Sequence, residues 1–185
     1  LTFGFTTIYI ESEIEILQFQ EAKMNKNWSN TALVAYSLLP KIVRELNFGV
    51  KTRVNSTFKS RHLKIGVSNE QLIGEILEMT DQKRRIVNLR YIVAYALDRI
   101  SPEDKFILEE RIINKKTFQN ISDESGVALR TVFRRLANAE LAFSRALSRA
   151  GYSEEWFETE YGNDKYISPI HERIMSDKYF VAKNL

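Results

Sequence analysis

The most constraining feature of this chain is the punctuation between Ser101 and Gly151. Ser101-Pro102-Glu103 is a helix start: a capping serine, a proline at the first helical position and acids where the helix dipole favours them. The helix it opens is expected to run to about Ile113, with Asn114-Lys115-Lys116 as a turn and Thr117 capping a short second helix. Gly126 can take positive φ at low cost and closes that helix. A long helix is then expected from Ala128 to Arg149. Two helices this close across so short a turn leave little freedom. Ile121 is expected to be the apolar residue of the short helix buried against its partner, and Ser122 the small residue that permits the approach.

The rest of the chain reads as helical too. Only seven Gly and three Pro occur in 185 residues, and no alternating apolar and polar runs are bounded by turn residues, so the fold class is expected to be all-α. Apolar residues recur at helical spacing from Ser29 to Leu46 (Leu33, Tyr36, Leu39, Val43, Leu46), with Pro40 expected to kink the helix or start a new one and Asn47-Phe48-Gly49 to end it. Ser68 with Gln71 has the form of a capping box. Beyond it Ile86, Leu89, Val93, Ala96, Leu97 and Ile100 lie on one stripe, whether or not Thr80-Asp81 interrupts the helix. Ser153 is expected to cap a helix whose Trp156, Phe157 and Tyr161 pack back as core, or else form a docking surface, and Ser168-Pro169 to start another.

Four segments follow. Residues 1–23 read as a non-native leader, because Gln20-Glu21-Ala22-Lys23 is encodable with an AGGAGG ribosome-binding sequence just ahead of the Met24 codon. Residues 24–100 form a basic helical region of net charge +7. Residues 101–151 hold the paired helices, and residues 152–185 an acidic aromatic helical tail of net charge −3.

Composition narrows the chemistry. With no cysteine there is no disulfide or thiolate metal site. The two histidines, His62 and His171, have no metal-ligand spacing, and no glycine-rich phosphate loop occurs. The expectation is a protein that is not an enzyme, with no cofactor and no metal. No run approaches the roughly 18 apolar residues of a membrane span, so no membrane partner and a cytoplasmic location are expected.

The positive charge points elsewhere. After Gly126, Val127, Val132 and Leu136 face the core, while Leu129, Arg130, Phe133, Arg134 and Ala137 point outward. The long helix carries Arg130, Arg134, Arg135, Arg145 and Arg149 against Glu140 alone. Arginines on such a face suit phosphates and guanine edges of double-stranded DNA.

The segment SPEDKFILEERIINKKTFQNIS (101–122) with GVALRTVFRRLANA (126–139) resembles region 4 of the sigma-70 family, including its extracytoplasmic-function branch. The resemblance covers about 50 residues. It implies a helix-turn-helix whose second helix enters the major groove, with base-reading positions at Leu129, Arg130, Phe133 and Arg134. Further DNA contacts are expected from Thr131, Arg135, Lys115 and Lys116. Leu129 and Phe133 are apolar where the family prefers polar or basic residues, and suit thymine methyl groups or a packing partner. A sigma factor also has a region 2, and nothing ahead of Ser101 resembles one.

The function that follows is a sigma-like, sequence-specific transcription regulator of Gram-positive or phage type. The alternatives are a phage DNA-packaging or assembly protein using a helix-turn-helix, and a divergent alternative sigma factor. RNA polymerase and a second copy of the chain are candidate partners. A second DNA surface is expected from Arg53, Lys59, Arg61, Lys64, Arg84 and Arg85, with Lys83 and Arg90 nearby and Asn55 and Phe58 available for base contacts.

Overall fold

A computed structural model describes the backbone of residues 3–60 and 68–176, and the side chains of residues 26–55, 68 and 70–176. All regular structure among the described residues is helical. Helix α1 spans Phe3–Ser60 and α2 spans Asn69–Leu97. Helix α3, Pro102–Leu108, runs on into one π-helical turn, Glu109–Ile113. Then come α4 (Phe118–Ser125), α5 (Leu129–Arg149), α6 (Glu154–Tyr161) and α7 (Ser168–Ser176). None of the described helices is long and apolar enough to cross a membrane.

The expected starts are where the caps put them. Ser68, Ser101, Thr117 and Ser153 each accept a hydrogen bond through the side-chain hydroxyl from the backbone N–H three residues on, at 3.1–3.2 Å. Each such cap is worth about 1 kcal/mol.

Two expected breaks are absent. Pro40 lies inside α1, and α1 also passes through Asn47-Phe48-Gly49. A proline in a helix interior costs about 3 kcal/mol. Leu39, Ile42 and Leu46 are all buried on the face turned to the core, and each contributes about 1.5–3 kcal/mol when withdrawn from water. Continuing the helix therefore wins, with Pro40 itself left on the exposed side. Gly49 is a contact rather than a stop: a Cβ there would meet Met79 Sδ of α2 at 3.4 Å, in ordinary van der Waals contact. Thr80-Asp81 is absorbed into α2, where the Thr80 hydroxyl donates to the Ile76 carbonyl at 2.7 Å.

One hydrophobic cluster runs through α1, α2, α3, the π turn, α5, α6 and α7. It draws on segments that the sequence separates as basic region, motif and tail. The stripe from Ile86 to Leu97 is buried in it, with Ile100 partly so. At one end Trp28 is sandwiched in aromatic contacts. Its ring stacks on His171 of α7 at 3.8 Å and 11°, and lies 5.8 Å from Phe157 of α6. The Thr31 hydroxyl donates to Asn27 O at 2.8 Å, so His171 Nδ1, 3.0 Å from the same oxygen, is the donor to it. Burial pushes the imidazole below its usual pKa, with Glu158 and Glu172 partly opposing. Tyr161 is buried too, and its hydroxyl donates to the Arg85 carbonyl of α2 at 3.1 Å. The aromatic face of α6 is core, as expected. The buried carboxylate of Asp164 accepts from the Tyr166 and Ile167 amides at 2.8 and 3.1 Å and turns the chain from α6 to α7.

Candidate nucleic-acid interface

Helices α4 and α5 meet at a turn fixed by short-range bonds. Gly126 adopts φ 65°, ψ 19°, the left-handed conformation that glycine tolerates without strain. The Gly126 and Val127 amides both donate to the Ser122 carbonyl, and the Ser122 hydroxyl donates to the Val127 carbonyl at 2.6 Å. Ser122 thus closes the turn by hydrogen bonds as well as by being small. Ile121 is fully buried beneath it.

Helix α5 is amphipathic along its whole length. Val132, Leu136, Ala139, Phe143 and Leu147 are buried. Leu129, Arg130, Phe133, Arg134 and Ala137 are exposed, as expected, and Thr131 is half-buried. Glu140, the one acid on this helix, faces the core and forms an ion pair with Lys26 of α1 at 2.5 Å. Burial raises its pKa, against the pull of Lys26. The charges on the outer face of α5 are consequently all cationic. Arg130, Arg134, Arg145 and Arg149 are exposed and fall within about 100° of arc at 100° per residue. Arg135 is exposed as well but lies on the flank toward α3, lining a small cavity with Pro102, Glu103 and Phe106.

Phe133 is not a free aromatic. Its ring packs on Phe118 of α4 at 4.1 Å, and the Arg111 guanidinium lies 4.3 Å from the Phe118 centroid. Arg111 is buried at the π turn and donates to the Lys116 carbonyl at 2.8 Å; burial alone lowers its pKa. This Arg111–Phe118–Phe133 stack ties the π turn, α4 and α5 together. Neither Arg111 nor Phe118 stood out in the sequence, because a cation–π pair carries no fixed spacing along a chain.

The remaining site residues divide. Lys115 is exposed at φ 56° in the turn before α4. Lys116 instead bridges Glu110 at 2.5 Å and Glu124 at 2.6 Å, which raises its pKa. In the structure it fastens the turn to the π segment and α4. Of the expected second surface, Arg53, Arg84 and Arg85 fall within the described side chains. Arg53 pairs with Glu75 across α1 and α2 at 3.0 Å, and Arg84 with Asp81 at 3.4 Å. Arg85 is half-buried with its carbonyl taken by Tyr161. Asn55 is exposed at the end of the described side chains of α1. The side chains of Lys59 and Phe58, and all of Arg61 and Lys64, lie outside the described residues, as do residues 177–185. Residues 3–23 belong to α1, with their side chains outside the description.

No family model, curated protein or solved structure matches this chain.

Proposed function

We propose that the chain is a sequence-specific, sigma-like DNA-binding transcription regulator, with α4, the Gly126 turn and α5 acting as a helix-turn-helix. The observation that carries this reading is the pairing of a rigid turn with an outward face of Arg130, Arg134, Leu129 and Phe133 at the start of α5. Neither arginine has an ion-pair partner among the described residues. Both are therefore available to phosphates and to the O6/N7 edge of guanine. Leu129 is 39% exposed and Phe133 46%. In the major groove they would meet thymine methyl groups, with the Phe118 contact setting the position of Phe133.

The test is selection of a bound duplex from a random pool, followed by binding measurements at moderate salt. Arg130→Ala with Arg134→Ala is expected to weaken binding to the selected duplex markedly and to flatten the salt dependence by about one unit of log–log slope for each phosphate left without its cation. Recovery of no consensus from the pool, or unchanged affinity in the double variant, would defeat the proposal.

A further inference from the structure

The far end of α5 carries a different arrangement from its start. There α5 and the end of α2 enclose an open groove of about 570 Å³, lined by Tyr95, Arg99, Arg145, Arg149 and the alanines at 142, 146 and 150. No acidic side chain lines it among the described residues. Asp98, the nearest acid in sequence, is held by Lys105 at 2.6 Å. The alanines lie one turn apart along α5 and leave the floor open, while three guanidinium groups surround it.

The groove also offers flat surfaces. The Arg99 guanidinium lies over the Tyr95 ring at 3.2 Å and is held there by a hydrogen bond to the Tyr95 carbonyl at 3.1 Å. Its planar group is thus fixed before any ligand arrives. Tyr91 is 70% exposed one helical turn earlier, on the same side of α2 as Tyr95. A large exposed ring beside a cationic groove has the chemistry of a stacking platform.

We propose that this groove is a second nucleic-acid site, which takes an unpaired strand: phosphates on Arg145 and Arg149, bases against Arg99, Tyr95 and Tyr91. A duplex presents phosphates but keeps its bases stacked inside, so it leaves the flat surfaces without a partner. An acidic peptide supplies charge and no π face. The site stands apart from the proposed major-groove end, since Arg130 and Arg149 are about 28 Å apart along the helix axis at 1.5 Å per residue. It does not rest on that reading.

Fluorescence anisotropy of a labelled short oligo(dT) with the full chain at low salt tests the proposal. Tyr95→Ala is expected to weaken binding about fivefold or more, the smaller end of what one stacked base contributes, and Tyr95→Phe to restore it. Arg145→Gln with Arg149→Gln is expected to weaken binding and to lower the salt slope by about 0.7 for each phosphate left unneutralised. Lys41→Gln, which removes an exposed charge from α1, is expected to leave binding unchanged. The proposal is overturned if oligo(dT) does not bind, if Tyr95→Ala binds as wild type does with far-UV circular dichroism unchanged, or if poly-glutamate or a hairpin duplex displaces oligo(dT) as well as unlabelled oligo(dT) does.

Discussion

The turn between α4 and α5 and the aromatic core around Trp28 are both held by hydrogen bonds and ring contacts, yet they are built at opposite ranges of sequence. In the first, Ser122 meets Val127, Thr117 meets Asn120 and Phe118 meets Phe133. In the second, Thr31 and Trp28 reach His171, and Tyr161 reaches Arg85. The start of α5 is thus organised locally, while the body that holds α5 is organised by closing long loops. A helix that spans both inherits both properties. Its start is set by the turn, and its buried face packs on α1, α2 and α3.

The separation can be attacked from the core first, where the largest effect is expected. Trp28→Ala removes the ring that His171 and Phe157 stack on and is expected to cost about 3–5 kcal/mol in a urea titration. The helices that share the cluster should lose stability together. A biphasic transition in which only α6 and α7 detach would show that the tail is a separable unit.

Next in size is the pair Arg130→Ala and Arg134→Ala. It is expected to cost about 2 kcal/mol or more of specific duplex affinity with folding stability changed by less than about 0.5 kcal/mol. Equal losses in both measurements would merge the two regions and make the arginines part of the scaffold.

Gly126→Ala probes the turn alone. Nothing lies within 4 Å of a Cβ at that position, so the cost is the backbone at positive φ and nothing else, about 1–2 kcal/mol. Differential scanning calorimetry is expected to show a lowered Tm, and hydrogen exchange to show the extra opening concentrated in α4 and the start of α5 rather than around Trp28.

The smallest effect is a pH dependence in the core. The folded-state pKa of His171 is depressed from 6.5, so the unfolded chain binds the proton more readily. The contribution is fully present above pH 6.5 and is lost as pH falls from there through the depressed folded value. Urea midpoints at successively lower pH are expected to fall in wild type and to fall less in His171→Phe, which keeps a ring against Trp28. An identical pH profile in both would remove His171 from the account.

Much of the fold was legible in the sequence where the signal is short. Capping hydroxyls, the glycine at positive φ and the stripe of α2 act over three to eleven residues, and each is where the pattern put it. The outward face of α5 was legible for the same reason. What failed were inferences that weigh a local cost without its tertiary return: Pro40 and Asn47-Phe48-Gly49 look like stops until the burial of Leu39, Ile42 and Leu46 is counted. Ion pairing divides the same way: Arg84 meets Asp81 three residues away on one helix, whereas the Arg53–Glu75 and Lys116–Glu124 pairs join different helices or a turn and a helix and show only in the packing.

The sequence by itself determined the helical character of the described residues, their cap positions and the cationic outer face of α5, because helix period and capping are local physics. Tertiary structure decided that one core joins the three segments, that Glu140 turns inward to Lys26, and that Tyr95, Arg99, Arg145 and Arg149 share a groove. Those outcomes depend on which side chains meet across loops of many tens of residues. No spacing along the chain encodes such meetings; only the competition for burial in a single core selects them.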